Sequence, residues 1–274
     1  MTVAITILIV LLVLFLLWIL ALRCRSNHPK LETLRKFRYA HRGLHDSKHG
    51  IPENSMAAFK LAAERGYGIE LDIHLTQDGR LAVIHDNSLL RTAGVDVKAS
   101  ELTAEELQQY FLEGTEEKIP FLEDVLPLFE GKAPIIVELK VEGNPAALAK
   151  AACDLLDQYS VDYCIESFHP QAILWLKKNR PEICRGQLSQ NFFRSEEGTG
   201  LGKAADFAMT NLLTSFLTLP DFIAYNHQHR NILSLSLAKA FWHVQEVSWT
   251  LRTPEDMERC ECEGSLSIFE QFNP

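Results

Sequence analysis

Strand-like and helix-like segments alternate along most of this chain, and this alternation limits the possible fold more than any other feature. Residues 68–75 (GIELDIHL) and 133–141 (APIIVELKV) have the pattern of strands, whereas 144–159 and 170–180 have helical spacing. Repeated βα units predict a parallel sheet covered by helices. Close to eight such units in residues 38–274 match the size of a (β/α)₈ TIM barrel, an α/β fold.

The main alternative for this pattern is an open, doubly wound sheet. That fold places a glycine-rich GxGxxG loop after its first strand, and no such loop follows residues 37–43 (FRYAHRG). We therefore expect the barrel. Residues 53–66 (ENSMAAFKLAAERG) are predicted to form its first helix, with Asn54 as the N-cap.

The first 22 residues carry no charged side chain and are apolar almost throughout. About 20 such residues span a bilayer as a helix. A cleaved signal peptide would show basic residues before a shorter apolar core, and none precedes this run. A buried core helix would keep some polar face, which is also missing. We predict that residues 1–22 form one transmembrane anchor.

A basic juxtamembrane segment, residues 23–37, follows the anchor. Positive residues stay on the cytoplasmic side of a membrane, so we expect a single-pass protein with its catalytic domain in the cytoplasm. The same charges should hold the domain close to anionic lipid. The basic residues after the anchor are Arg23, Arg25, Lys30, Arg35, Lys36 and Arg38, against one acidic residue, Glu32.

The rest of the chain is acidic, because the whole sequence has 36 Asp and Glu against 27 Lys and Arg, and the flank holds six of the basic residues. An acidic domain argues against a nucleic acid as the partner. The six cysteines show neither a disulfide framework nor the spacing of a zinc site. Free thiols agree with a cytoplasmic domain.

Ionisable residues recur where the predicted strands end. Residues i and i+2 of a strand point to the same face, so Glu70 and Asp72 project together. Active sites of TIM barrels lie at the carboxyl ends of the strands. The other residues at this edge are His41, Arg42, His85, Glu138 and Lys140, with Trp249 near the end of a later strand as a candidate pocket wall.

These residue types predict a metal-dependent reaction of a phosphodiester. Buried carboxylates must be neutralised, and three oxygen ligands from Glu70, Asp72 and Glu138 suit one divalent cation, Mg²⁺ or Ca²⁺. An arginine and a lysine beside the cation would bind phosphate. His41 and His85 would supply a base and an acid.

Several motifs in order resemble those of glycerophosphodiester phosphodiesterases. They are AHRG at 40–43, PEN at 52–54, ELDIHLTQDGRLAVIHD at 70–86, LLRT at 89–92, VELK at 137–140 and WTLRTPED at 249–256. The resemblance covers residues 38–274. Many members end their last strand in Thr-Asp-x-Pro, whereas this chain ends in SIFEQFNP.

The resemblance implies a TIM barrel over 38–274 with a small insertion at about 87–119. It implies a metal on Glu70, Asp72 and Glu138, and acid–base catalysis by His41 and His85. Arg42 and Lys140 would then contact the substrate phosphate. The glycerol 2-hydroxyl would attack phosphorus, and the products would be glycerol 3-phosphate and an alcohol.

Two other functions stay open on the sequence. One is cleavage of acylated lipids, as by a lysophospholipase D or sphingomyelinase D. The substrate is then a lysophospholipid rather than a glycerophosphodiester, and the anchor favours a substrate at the bilayer surface. The other, from a different class, is a non-catalytic anchored binding protein. The intact histidines and carboxylates argue against that second reading.

Overall fold

A computed structural model describes residues 2–195 and 198–274, and a closed barrel of eight parallel strands forms its centre. The expected α/β TIM barrel is confirmed. In order around the barrel the strands are β1 (Tyr39–His41), β2 (Gly68–Leu75), β4 (Ile135–Leu139), β5 (Tyr163–Ser167), β6 (Arg185–Ser189), β7 (Phe222–Asn226), β8 (Gln245–Leu251) and β9 (Leu266–Phe269). Pairing of β9 with β1 closes the ring.

A ninth strand, β3 (Leu81–Val83), pairs antiparallel with β2 and stays outside the ring. The turn TQDG between them is short, as a hairpin requires. The chain then enters the segment predicted as an insertion, which has a small core of its own centred on Leu89, Leu107 and Ile119. Its short helices are α4 (Leu90–Ala93) and α5 (Ala104–Leu107), the second with a capping box between Thr103 and Glu106.

Helices cover the outer face of the barrel and bury its apolar side chains. Those after the insertion are α6 (Leu122–Val125), α7 (Pro145–Leu156), α8 (Pro170–Asn179), α9 (Lys203–Thr210), α10 (Ser215–Thr218), α11 (Leu233–Trp242) and α12 (Pro254–Cys262). The helix before β2 is α3 (Met56–Glu64). Two further helices, α1 (Thr2–Ala21) and α2 (Lys30–Leu34), precede the barrel.

The expectation that Asn54 caps α3 is wrong. Ser55 is the N-cap, and its hydroxyl accepts a hydrogen bond from the amide of Ala58. Asn54 instead has a left-handed backbone, with φ of 52°, and its side-chain amide donates to Asp72 at 2.9 Å. Asparagine tolerates that backbone region, and here it contacts a buried strand carboxylate rather than the helix end.

The N-terminal helix α1 is long and apolar enough to cross a membrane, and little of it is buried. It packs beside α10 and α11. The indole N–H of Trp242 donates to the carbonyl of Ile19 at 2.8 Å, and the rings of Phe15 and Phe241 meet edge to face. The barrel and this helix are therefore joined on the β7 side.

Candidate active site

Three carboxylates meet inside the barrel at the carboxyl ends of β2 and β4. Asp72 and Glu138 are paired in register on these neighbouring strands, and Glu70 lies two residues before Asp72. One oxygen from each residue lies within 4.8 Å of the other two. All three side chains are buried, so their charges require a nearby counter-charge.

Electrostatics of this carboxylate cluster favour a bound cation. Burial and the neighbouring charges of Asp72 and Glu138 raise the pKa of Glu70 well above its usual range. Burial acts on Asp72 in the same direction, but Lys140, Arg42 and the two histidines together outweigh it and lower the Asp72 pKa. An all-oxygen donor set of this spacing suits a hard metal ion, and these three residues would hold it.

Lys140 and Arg42 lie against the cluster. The ammonium of Lys140 is 3.0 Å from Asp72 Oδ1 and 2.8 Å from Glu138 Oε1. Arg42 donates from Nη1 to Glu53 at 2.9 Å, and its Nε lies 3.4 Å from Asp72 Oδ2. Arg42 has φ of 55°, a conformation that is costly for a non-glycine residue and typical of functional sites.

His41 stands at the end of β1 with a carboxylate behind its ring. Nδ1 of His41 lies 2.5 Å from Oε2 of Glu270, and Nε2 is 3.9 Å from Glu70. Burial, together with the charge of Arg42, lowers the pKa of His41 to about 4, against the raising effect of Glu270. A neutral imidazole whose Nδ1–H points at Glu270 keeps a lone pair on Nε2.

His85 has its own carboxylate partner. Its Nδ1 lies 2.6 Å from Asp86 Oδ1, and Arg91 donates to the other oxygen of Asp86 at 2.5 Å. The guanidinium of Arg91 also donates to Glu53, the partner of Arg42. The hydrogen bond with His85 contributes most to a lowered pKa of Asp86, so this carboxylate stays charged beside the ring.

Two cavities connect these groups. The smaller, about 170 Å³, is lined by His41, Arg42, Glu70, His85, Glu138, Glu166 and Lys140. The larger, about 890 Å³, shares His85 and Lys140 and continues between β5 and α9. Trp249 lines both, and Phe168 meets its ring edge to face at 5.6 Å. All the sequence-predicted site residues therefore lie in one place.

Sequence reasoning missed three carboxylates of this site. Glu270 and Asp86 sit behind the two histidines, and Glu166 lines the smaller cavity from β5. A signal exists for each: Asp86 directly follows His85, Glu270 directly follows the last strand, and Glu166 directly follows two apolar strand residues. Glu53, just before the first barrel helix, accepts hydrogen bonds from both Arg42 and Arg91.

Several known proteins are similar to this chain in sequence. A glycerophosphodiester phosphodiesterase of Bacillus altitudinis is 32% identical over 157 residues, which are 53% of this chain and 63% of the relative. A lysophospholipase D of Rattus norvegicus is 36% identical over 124 residues, 40% of this chain and 38% of that protein. The matched parts are thus under two thirds of the length of these two relatives.

Solved structures share the fold of this chain. A phosphodiesterase of Oleispira antarctica, solved in complex with the product sn-glycerol-3-phosphate, superposes with a TM-score of 0.69 at 23% identity, covering 85% of this chain and 92% of that one. The sequence model of the glycerophosphoryl diester phosphodiesterase family matches residues 41–269, which span the barrel from His41 to Phe269. The chain belongs to the glycerophosphoryl diester phosphodiesterase family.

Proposed function

We propose that this protein hydrolyses glycerophosphodiesters to glycerol 3-phosphate and an alcohol, with one divalent cation, Mg²⁺ or Ca²⁺, and with His41 and His85 as base and acid. The observation that carries the proposal is that both histidines line one small cavity with Arg42, Lys140 and two of the clustered carboxylates, Glu70 and Glu138. A cation on Glu70, Asp72 and Glu138 would stabilise charge that develops on the phosphate oxygens.

His41 suits the base. Its Nδ1 is engaged with Glu270, so Nε2 is free to take the proton of the attacking glycerol 2-hydroxyl. A new bond then forms from that oxygen to phosphorus, while the bond from phosphorus to the leaving alcohol breaks. His85, supported by Asp86, gives a proton to the departing oxygen. Water opens the resulting cyclic phosphate with the histidine roles reversed.

Arg42 and Lys140 would bind the phosphate. Both line the small cavity, and a bound anion would add partners to side chains that already neutralise Asp72 and Glu138. Trp249 would form the wall on the side of the alcohol, because it lies between the small and the large cavity. Edge-to-face packing against Phe168 holds its ring in that position.

A second substrate class, acylated lysophospholipids, is favoured by the surface around α1. Among the described residues outside α1, nine large apolar side chains are exposed, and seven of them fall within residues 193–241, a stretch that includes α10 and α11, which pack beside α1. The large cavity also has an aromatic wall, with Phe168, Phe192 and Trp249 in ring contact. If the opening of this large cavity faces the membrane, it would admit a lipid alcohol.

We further propose that α1 anchors the domain, residues 38–274, as a single-pass membrane protein with the barrel in the cytoplasm. The support is the length and exposure of α1 and the basic segment 23–37 that follows it. A non-catalytic binding protein remains the alternative from another class, and turnover decides between them.

One assay tests the substrate proposal. The full chain in lipid nanodiscs is given glycerophosphocholine, glycerophosphoethanolamine, glycerophosphoglycerol and the corresponding lysolipids, each with Mg²⁺ or Ca²⁺. Release of glycerol 3-phosphate from the water-soluble diesters supports the main proposal, and turnover confined to the lysolipids favours the second. Absence of turnover with every substrate and metal would favour the non-catalytic binding protein.

A further inference from the structure

Glu166 is a fourth buried carboxylate on the inner face of the barrel. Its Cα pairs in register with that of Glu138 on the neighbouring strand, so both side chains enter the barrel interior. Only 1% of the residue is exposed. It lines the same cavity of about 170 Å³ as His41 and Arg42.

This carboxylate has no partner within the described part of the chain. Its Oε2 is buried without a hydrogen bond, and no ion pair involves it among residues 2–195 and 198–274. The nearby cations are engaged elsewhere, since Lys140 contacts Asp72 and Glu138, and Arg42 contacts Glu53 and Asp72. Glu166 is also outside the group of carboxylates that lie within 4.8 Å of one another.

A buried oxygen without a partner costs stability unless a ligand supplies the missing hydrogen bond. A phosphate oxygen is a poor partner for a charged carboxylate, because the two negative groups repel each other. A hydroxyl group pairs with a carboxyl oxygen whether the carboxyl is charged or protonated, since it both donates and accepts. With Arg42 and Lys140 lining the same cavity, the hydroxyls nearest to a bound phosphate are those of glycerol.

We infer that Glu166 binds a glycerol hydroxyl of the substrate and so selects glycerol phosphates over phosphates of simple alcohols. The inference rests on the proposed function and names a specificity residue for the same site. A site built to hydrogen-bond a hydroxyl discriminates against ligands that lack it, because its buried polar group is then left unpaired.

Binding of two phosphates to the full chain in nanodiscs tests this inference. Glycerol 3-phosphate has the hydroxyls, whereas n-propyl phosphate keeps the phosphate and the three carbons without them. Isothermal titration calorimetry should show that Glu166→Ala weakens glycerol 3-phosphate about 10- to 100-fold, as expected for a hydrogen bond to a carboxylate. Affinity for propyl phosphate should stay within about twofold.

Three controls sharpen the result. Glu166→Met keeps the side-chain length without an acceptor and should reproduce the selective loss, which preserves the test if the alanine variant does not fold. Glu166→Gln keeps a carbonyl acceptor and should retain part of the selectivity. Leu188→Ala changes the lining of the same cavity without a polar atom and should affect both phosphates alike.

Equal losses for both phosphates, or no loss, in the alanine and methionine variants would overturn the inference. So would a tenfold loss of Ca²⁺ affinity in a calcium titration of either variant, because Glu166 would then be a metal ligand. These outcomes are distinct from failure of the proposed function itself, in which the wild-type chain would neither bind glycerol 3-phosphate nor turn over any diester.

Discussion

Oε2 of Glu270 lies 2.5 Å from Nδ1 of His41, so the residue after the last barrel strand orients the histidine at the end of the first. The two positions are far apart in sequence and adjacent in space because β9 closes the barrel onto β1. Arg252 donates to the other oxygen of Glu270 at 2.6 Å, and the hydrogen bonds from His41 and His45, with the charge of Arg252, lower the pKa of Glu270. The imidazole is thereby fixed with Nε2 toward the cavity.

The pH dependence of turnover should reflect this pair. A base must be neutral, so kcat/KM should rise as the pH increases through about 4, the pKa to which burial and Arg42 lower His41. Glu270 raises that pKa, and Glu270→Gln should therefore move the acidic limb to lower pH and reduce kcat through loss of ring orientation. A pH–rate profile measures both. Gln271→Ala, at an exposed neighbouring position, is the matched control, and a limb that stays in place in Glu270→Gln would refute the pairing.

Removal of either histidine should abolish hydrolysis without unfolding the barrel. General acid–base groups contribute about 10²- to 10⁴-fold to rate, so His41→Ala and His85→Ala should each lose at least about 100-fold in kcat. Circular dichroism checks that the fold is retained. His49→Ala, at an exposed loop histidine, should keep wild-type turnover. Near-normal rates in both site variants would eliminate the acid–base scheme.

Chelation should inactivate the enzyme and lower its thermal stability. The buried Glu70, Asp72 and Glu138 repel one another, and a bound cation would remove that repulsion. We expect EDTA to reduce both turnover and Tm, with recovery on addition of Mg²⁺ or Ca²⁺. Asp72→Asn should show low activity and a Tm that no longer responds to metal. Full turnover in excess chelator would remove the cation from the mechanism.

Stability should depend strongly on a buried ion pair far from the substrate. Arg230 donates to both oxygens of Glu246, at 2.6 and 2.8 Å, and both side chains are almost fully buried. Removing one partner of such a pair costs about 3–5 kcal/mol, so Glu246→Gln should lower the free energy of unfolding by that order. Urea denaturation measures it. Lys150→Ala, in an exposed pair with Asp154, should change it by less than about 0.5 kcal/mol. Similar changes in the free energy of unfolding for the two variants would contradict a large contribution from the buried pair.

The orientation of the domain can be tested in cells. If α1 crosses the membrane with segment 23–37 inside, external protease should leave the barrel intact until the membrane is permeabilised. An antibody to the C-terminus detects whether the barrel is intact or cleaved. Cleavage of the barrel in intact cells would place the domain outside.

Several parts of this protein follow from its sequence alone. The period of two in GIELDIHL puts Glu70 and Asp72 on one face, and βα alternation determines that strand ends share one edge, so the carboxylates, His41, His85, Arg42 and Lys140 were predictable as one site. The apolar run before residue 23 likewise predicts a membrane-spanning helix by length and composition.

Only the tertiary structure decided which partners these groups have. Glu270 meets His41 through barrel closure, Glu166 meets the cavity through its register with Glu138, and Asn54 turns from its helix to Asp72. Each contact depends on strand register or on a single backbone torsion, which local periodicity does not encode. Sequence thus determined which chemical groups the site contains and the edge of the barrel where they gather. Three-dimensional packing decided which of these groups pair with one another and which is left without a partner.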